Sequence, residues 1–224
     1  MKPLSIALPA GKLLGPAMDF LARAGIACDT LSMDERHKIY FDNKHKYKLI
    51  LLDPFDIPVY VELGASDLGI VTRDILLERD RTVLELLDLH YGHGKLILAT
   101  LESNKVRTIA DIYTSSSVAT NYPFIAHNYF RSLGIPVEII KVSPPVELAL
   151  ECNLSDLILT YSQSDFPADF SCEDIIEIAE IARVTNLIIA NRISFKNSFN
   201  QIYYLIQQMK ELIESPGPDE LSSP

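Results

Sequence analysis

The stretch Leu8-Pro9-Ala10-Gly11-Lys12-Leu13 is the first candidate for chemistry, because a glycine turn joins an apolar strand to an amphipathic segment. The N-terminus of a helix presents backbone N–H groups to an anion, and Lys12 adds a positive charge beside them. Glycine is also common in strand-to-helix turns for geometric reasons alone. The pattern is compatible with an anion-binding turn, but its spacing alone favours a plain turn.

Four further groups of reactive side chains favour structural roles. His90 and His93 lie three residues apart, but the nearby glycines and the lack of a third ligand indicate a turn rather than a zinc site. Asp67 precedes Leu68-Gly69, where turn formation is the default for an aspartate. Ser115–Ser117 have no marked histidine base, which favours a helix cap or loop over a nucleophile. Cys152 follows an apolar helical pattern, which predicts a buried, inert thiol.

Strands alternate with amphipathic helices along almost the whole chain, which predicts an α/β fold with mostly parallel sheets covered on both faces. A helical pattern follows the first strand, and further helices are predicted from Asp56, over Phe124–Leu133 and from about Lys196 to Glu214. The predicted strands are Leu4–Leu8, Lys48–Leu52, Leu68–Val71, Lys95–Thr100, Ser117–Thr120, Val137–Val142, Leu157–Tyr161 and Leu187–Ala190.

The composition excludes several classes of function. The chain has 224 residues and a net charge of −10, from 30 acidic and 20 basic side chains. This acidity argues against binding to nucleic acid or to an anionic membrane surface. No apolar run approaches the roughly 20 residues that span a bilayer, and three widely spaced cysteines without a CxxC pair indicate a reduced, cytoplasmic setting. An anionic substrate would therefore need a local cluster of cations or backbone amides.

Five ordered segments resemble the ATP phosphoribosyltransferases of histidine biosynthesis, in their short form. The opening IALPAGKLLGPAMDFLARAGI resembles that family's strand–turn–helix with its Pro-Lys-Gly-Arg-Leu turn. The most specific segment is DPFDIPVYVELGASDLGIVTRDILLE, which is similar to the family's Arg-Pro-x-Asp-Val-Pro-x-Tyr-Val pattern and the Gly-x-Ala-Asp-x-Gly-Ile that follows it. The other three segments are SVATNYPFIAHNYFRSLGI, EIIKVSPPVELALECNLSD and NLIIANRISFK.

The resemblance implies two lobes of the periplasmic-binding-protein type (type II), with a cleft between them and no C-terminal regulatory domain. Residues 1–94 and 175–224 are expected to form the first lobe, and residues 95–174 the second. The composition of residues 215–224, which include three prolines and no apolar periodicity, predicts a disordered tail.

The resemblance also implies a reaction. The family condenses ATP with phosphoribosyl pyrophosphate, using Mg²⁺, to give phosphoribosyl-ATP and pyrophosphate. Its short forms usually work with a histidyl-tRNA-synthetase-like regulatory subunit, so a homo- or hetero-oligomer is expected. Carried over to this chain, the family's motifs predict substrate binding by eight residues: Gly11, Lys12, Asp67, Thr120, Glu147, Thr160, Gln163 and Ser164.

The sequence departs from the family at positions that handle phosphate. The family's lysine before the first glycine is Ala10, the basic residue before Pro54 is Asp53, and the arginine before Val-Ala-Thr is Ser117. Its Gly-Ser before Val-Glu-Leu is Pro144-Pro145. In the phosphate loop, Thr160 replaces the acid that binds ribose, Asp165 replaces the glycine, and Phe166 and Pro167 follow where the family has threonine.

These departures leave three hypotheses. The first is an active, divergent enzyme in which Lys12, Lys141 and Arg73 supply the missing charge. The second is a non-catalytic relative that binds a nucleotide or small ligand, or that acts as a subunit of a complex. The third is a small-molecule binding protein of the periplasmic type, against which the lack of a signal-peptide pattern argues. The coordinated replacements slightly favour the second hypothesis over the first.

Overall fold

The computed structural model describes residues 2–30, 38–113, 115–163 and 174–214. The chain divides into two compact units, the first made of Met1–Tyr91 with Asn186–Pro224 and the second of Gly92–Thr185. In the part of the chain that the structure describes, no helix is both long and apolar enough to cross a membrane. The predicted tail at residues 215–224 lies outside the described residues.

The first unit is built on a six-stranded sheet with the order β2-β3-β1-β4-β11-β5. β1 runs parallel to both β3 and β4, so the carboxyl ends of these three strands meet at one edge of the sheet. β2, β11 and β5 run antiparallel to their neighbours. The strands are β1 Leu4–Pro9, β2 Ile39–Phe41, β3 Tyr47–Leu52, β4 Leu68–Thr72, β5 Leu84–Asp88 and β11 Asn186–Ala190.

Five helices of the described residues pack in this unit, where the sequence has apolar residues at helical spacing. α7 buries Ile202, Leu205, Ile206 and Met209 in the same core as β1 and β4. Gly69 of β4 allows α2 to pack closely, because a Cβ there would lie 2.7 Å from the Ile57 side chain. The helices are α1 Leu14–Arg23, α2 Ile57–Glu62, α3 Arg73–Arg79, α6 Arg192–Asn197 and α7 Phe199–Glu214.

The second unit is built on a five-stranded sheet with the order β10-β6-β9-β7-β8. β7 runs parallel to β8 and β9, whereas β6 is antiparallel to β9 and β10. Two helices accompany these strands, α4 Pro123–Leu133 and α5 Leu148–Glu151. The strands are β6 Gly94–Leu101, β7 Ser117–Thr120, β8 Glu138–Lys141, β9 Leu157–Gln163 and β10 Ile175–Val184.

The α/β class is confirmed, but both sheets are mixed rather than mostly parallel. The antiparallel pairs arise where the chain doubles back: β10 pairs with β6, and β11 then pairs with β4, each running against its neighbour. β10 hydrogen-bonds within the second sheet, so residues 175–185 belong to the second unit, where the prediction had placed them in the first lobe. The predicted C-terminal helix is two helices, because Ser198 leaves helical geometry at φ −118° and ψ 30°.

Candidate functional site

The glycine turn after β1 leads directly into a helix, as the sequence pattern predicts. Gly11 adopts φ +79°, a left-handed conformation that favours glycine, and a short 3₁₀ turn over Gly11–Leu13 leads directly into α1. The N–H of Ala10 donates to the carbonyl of Leu52 at 2.8 Å, which ties the turn to the end of β3. Lys12 is exposed. The turn therefore presents a cation at the carboxyl edge of the parallel strands, where ligands usually bind in α/β proteins.

The adjacent turn after β3 is braced by an arginine that sequence reasoning missed. Asp53 caps this turn, because its carboxylate accepts a hydrogen bond from the Phe55 N–H at 2.9 Å. Arg79, at the end of α3, donates from Nε to the Phe55 carbonyl at 2.9 Å, and its guanidinium lies 5.4 Å from the centroid of the Phe55 ring. No local motif marks Arg79, because its partner is 24 residues away in sequence.

Arg73 is not a free cation for a substrate. It follows β4 at the same edge of the sheet, but its guanidinium lies 3.4 Å from the carboxylate of Glu85 and 4.0 Å from that of Asp88. These acidic groups offset its charge. Lys12 is therefore a better candidate than Arg73 for contact with a phosphate in this unit.

Asp67 lies at the opposite edge of the first sheet from Gly11 and Lys12. Its carboxylate accepts hydrogen bonds from the backbone N–H and hydroxyl of Ser5 at 2.8 and 2.6 Å, and from the hydroxyl of Ser194 at 2.6 Å. Ser5 is at the start of β1, six residues before Gly11, a separation of about 20 Å along a strand. Asp67 therefore joins β1, β4 and α6 structurally, and the structure does not bring it together with the glycine turn.

The pKa of Asp67 reflects this network. Burial alone raises the pKa of the carboxyl, but the hydrogen bonds from Ser194 and Ser5, with a smaller contribution from the charge of Lys2, outweigh burial and lower the pKa below its ordinary value. The carboxylate therefore stays charged at neutral pH and holds its three hydrogen bonds.

In the second unit, the structure brings Thr120 and Thr160 to neighbouring strands. Thr120 ends β7 and is fully buried; its hydroxyl donates to the Leu159 carbonyl at 2.7 Å and accepts from the Tyr122 N–H at 2.8 Å. Thr160 is buried in β9, one residue after Leu159, and pairs with Ile97 of β6. The Thr120 hydroxyl is thus already engaged in holding β7, β9 and the start of α4 together.

β9 extends beyond the predicted strand. Its pairing with β6 continues to Gln163, so Ser162 and Gln163, which lie beyond the predicted strand Leu157–Tyr161, are strand residues too. Ser164 and the replaced loop positions Asp165, Phe166 and Pro167 lie outside the described residues. The parallel pairing of β7 with β9 directs the end of β9 toward the edge of the sheet where Thr120 lies.

Glu147 lies in the turn between β8 and α5. Its backbone carbonyl accepts hydrogen bonds from the N–H groups of Leu150 and Glu151 at 3.0 and 3.4 Å, as expected at the start of a helix. Lys141 ends β8 and is exposed. Lys141 pairs with Thr120, so it lies at the same edge of the second sheet as Thr120, and Glu147 follows six residues later in the chain.

Most of the other reactive side chains predicted from the sequence have structural contacts in the described residues. Ser117 and Asp156 form a reciprocal pair at the amino ends of β7 and β9, with the Ser117 N–H and hydroxyl at 2.8 and 3.0 Å from the carboxylate. Ser116 accepts from the Tyr113 N–H. The prediction that Cys152 is buried was wrong: the thiol follows the end of the four-residue α5 and is exposed. Among the described residues, no three His, Cys, Asp or Glu side chains form a metal-binding group.

Comparison with known proteins assigns the chain to a family. A family model described as HisG: ATP phosphoribosyltransferase matches residues 53–214. The chain belongs to the ATP phosphoribosyltransferase family. The ATP phosphoribosyltransferase of Halothermothrix orenii is 36% identical to it over 224 residues, which cover 99% of each chain.

Solved structures with the same fold include members of this family and binding proteins. The ATP phosphoribosyl transferase (HisG:HisZ) complex from Thermotoga maritima matches with a TM-score of 0.79 and 24% identity, over 94% of this chain and 98% of that chain. The probable amino-acid ABC transporter extracellular-binding protein ytmK from Bacillus subtilis matches with a TM-score of 0.58 and 14% identity, over 96% and 93%. The periplasmic-binding-protein-like fold of this ATP phosphoribosyltransferase relative is therefore confirmed.

Proposed function

We propose that this chain catalyses the family reaction, in which ATP and phosphoribosyl pyrophosphate give phosphoribosyl-ATP and pyrophosphate, the first step of histidine biosynthesis. The observation that carries this proposal is the 36% identity to a named ATP phosphoribosyltransferase over 99% of both chains. In the reaction, an atom of ATP forms a bond to the ribose carbon that bears the pyrophosphate. The bond from that carbon to the pyrophosphate oxygen breaks, and pyrophosphate leaves with the electron pair.

The glycine turn supports a role in binding the phosphate groups. Pyrophosphate departure places negative charge on the leaving group, and preorganised N–H groups and cations at that position favour the transition state over the ground state. The turn at Gly11 and the exposed Lys12 have this character. We propose that Lys12 contacts a phosphate of one substrate, and that Arg79 acts as a positioning residue by bracing the neighbouring turn at Asp53.

In the second unit, we propose that the substrate-binding edge is the one formed by the carboxyl ends of β7, β8 and β9. Thr120 and Thr160 give this edge a rigid base, because both are buried. Lys141 pairs with Thr120 at this edge, and Glu147 follows it in the segment that resembles the family's Val-Glu-Leu motif. Gln163 and Ser164, in the adjoining segment, stay predicted substrate contacts.

We propose that Mg²⁺ binds to this chain together with the substrate phosphates. Mg²⁺ is commonly bound by substrate phosphates with one or two protein carboxylates, rather than by a cage of protein ligands. A magnesium complex of phosphoribosyl pyrophosphate would lower the negative charge that an acidic protein must accommodate.

We also propose a regulatory partner. The similar structure from Thermotoga maritima is a HisG:HisZ complex, and the family resemblance implies a histidyl-tRNA-synthetase-like subunit for short forms. We expect this chain to form a hetero-oligomer with such a subunit in the cytoplasm. Size-exclusion chromatography of the two co-expressed proteins, with this chain alone as the control, tests the proposal.

The non-catalytic alternative has one specific motivation, which is the set of replacements at Ala10, Asp53, Ser117 and the loop after β9. Full-length similarity to named enzymes does not favour it. Isothermal titration with phosphoribosyl pyrophosphate and Mg²⁺ separates the two cases, because a protein without a phosphate site would release no binding heat.

Growth rescue is the functional test in the cell. A histidine auxotroph that lacks its own ATP phosphoribosyltransferase should grow without histidine when it expresses this chain, together with a regulatory subunit if the chain needs one. A matched strain that expresses Lys12→Gln at equal protein level should grow more slowly. Failure of the wild-type chain to restore growth, with and without the partner, would contradict the proposed function.

A further inference from the structure

A cavity of about 280 Å³ lies within the first unit. It is formed by α1, by the residues directly after β5 and by the end of α7, and its apolar lining includes Phe20, Leu89, Leu212 and Ile213. None of the substrate-binding residues expected from the family lines it. The volume is close to the lower end of the roughly 300–1,000 Å³ that is typical for small-molecule sites.

An aromatic pair forms one wall of this cavity. The ring centroids of Phe20 and Tyr91 lie 5.7 Å apart at an interplanar angle of 33°. The main chain of Tyr91 is fixed, because its carbonyl accepts a hydrogen bond from the Asn186 side chain at 3.1 Å. The backbone of this wall is therefore held in place, and its two rings offer an apolar surface on which a flat or branched apolar group can pack.

The Tyr91 hydroxyl is buried and has no hydrogen-bond partner among the described residues. Buried hydroxyl groups in proteins are nearly always hydrogen-bonded, so this one is an exception that calls for a physical explanation. Burial raises the pKa of Tyr91, so the group stays protonated and can donate a hydrogen bond. A ligand that parts the side chains around the oxygen would supply the missing acceptor.

Two charged side chains complete the lining. Asp19 and Arg23 lie one turn apart on α1 and are both exposed. A guanidinium binds carboxylates with matched, bidentate geometry. Asp19 repels negative charge, so a ligand with two carboxylates is disfavoured. A ligand with a single carboxylate, or with an additional amino group, is favoured.

We propose that this cavity binds a small organic acid, whose apolar body packs on Phe20 and Tyr91 and whose carboxylate is bound by Arg23 and the Tyr91 hydroxyl. The proposal does not depend on the transferase reaction, because binding can be measured without ATP or phosphoribosyl pyrophosphate. His90, which also lines the cavity, adopts a left-handed φ of 52° directly before Tyr91.

Three probes with the same phenyl body test the ligand class by isothermal titration against the full chain. We expect saturable binding of 3-phenylpropionate with a Kd of the order of 1 mM or below, as a fragment of this size permits. L-Phenylalanine should bind at least as well, because its ammonium group can meet Asp19. Phenethylamine, which lacks the carboxylate, should bind at least tenfold more weakly; equal binding of the amine, or no binding of the acid at about 10 mM, would overturn the proposal.

Matched variants test the site. Tyr91→Phe and Arg23→Gln should each weaken 3-phenylpropionate binding about tenfold, whereas Tyr129→Phe in the second unit should leave it unchanged. Because the Tyr91 hydroxyl has no protein partner to lose among the described residues, Tyr91→Phe should melt at the same or a higher temperature than the wild type. Binding that is unchanged in both Tyr91→Phe and Arg23→Gln, or a clear drop in the melting temperature of Tyr91→Phe, would contradict the assignment.

Discussion

At the scale of single residues, some charged side chains are bound to other protein groups, and others are exposed and free to meet a substrate in the proposed function. Asp67, Asp156 and Arg73 are engaged with protein groups, through hydrogen bonds or ion pairs of 3.4 Å or less. Lys12 is instead exposed on the glycine turn. Substrates that carry several phosphates need such exposed cations, so Lys12 is the residue whose removal should affect activity most in the first unit.

Replacement of Lys12 by glutamine should lower kcat/KM for phosphoribosyl pyrophosphate about ten- to hundredfold, because a charge-assisted contact contributes roughly 1.5–3 kcal/mol. Steady-state kinetics of the purified variant measure the change. Lys44→Gln, which removes an exposed lysine from the turn between β2 and β3, is the matched control and should be neutral. Equal kcat/KM values for the two variants would exclude Lys12 from the site.

Asp67→Asn should destabilise the first unit by about 1–3 kcal/mol at pH 7, because the amide cannot accept all three hydrogen bonds of the carboxylate. The folded-state pKa lies below the ordinary value of 3.8, so this stabilisation is present above about pH 4 and is lost as the pH falls through the folded value. Urea unfolding at pH 7 and at pH 3 should show the difference between wild type and variant shrink at the lower pH. Glu211→Gln on α7 is the control; a pH-independent difference for Asp67→Asn would contradict the account.

At the scale of elements, close packing of α2 on the first sheet depends on Gly69. A Cβ at this position would lie 2.7 Å from Ile57 and 2.9 Å from Val61, both fully buried. Gly15 in α1 differs, because a Cβ there would meet no atom of another element within 4 Å. The two glycines therefore serve as a matched pair in which only one is required by packing.

Gly69→Ala should lower the free energy of unfolding by about 1–3 kcal/mol, the usual cost of overpacking a core. Gly15→Ala should change the free energy of unfolding less than Gly69→Ala, because the helix propensity of alanine is opposed only by the steric cost of a Cβ before Pro16. Thermal and urea unfolding of both variants measure these changes. If Gly69→Ala proved as stable as Gly15→Ala, the proposed packing of α2 against β4 would be wrong.

The sequence predicted the elements whose apolar pattern is local and missed those that depend on distant partners. Strands such as Leu157–Leu159 and helix Phe124–Leu133 were evident, because each is fixed by burial of its own apolar residues. β10 was missed, because its charges Glu177, Glu180 and Arg183 recur at every third residue rather than at every second, and the strand is held by pairing to β6 through register shifts. The bracing of Asp53's turn by Arg79 was missed for the same reason.

The candidate site was predictable only in part. The turn at Gly11 and Lys12 follows from a local pattern that the structure reproduces, and the role of both residues in substrate binding stays a prediction. Asp67 was assigned to the substrate from its motif, but its contacts with Ser5 and Ser194 span 62 and 127 residues and could not be read from spacing. The structural pairing of Ser117 with Asp156, 39 residues apart, was equally hidden.

At the scale of the whole molecule, each of the two units has a Ser–Asp pair that links the amino ends of two parallel strands. In the first, Ser5 and Asp67 link the amino ends of the parallel strands β1 and β4; in the second, Ser117 and Asp156 link those of β7 and β9. Each pair fixes one edge of its sheet and leaves the carboxyl edge to the residues proposed for substrate binding. The stabilising pairs and the residues proposed for binding are thus at opposite edges within each unit.

The central claim is that this chain transfers a phosphoribosyl group to ATP, and product formation tests it most directly. The purified chain, with and without a histidyl-tRNA-synthetase-like subunit, would be incubated with ATP, phosphoribosyl pyrophosphate and Mg²⁺, and the nucleotides resolved by chromatography and mass spectrometry. The account predicts phosphoribosyl-ATP and pyrophosphate in equal amounts, with a lower rate for Lys12→Gln. No product under either condition, from protein that is folded by circular dichroism, would contradict the account.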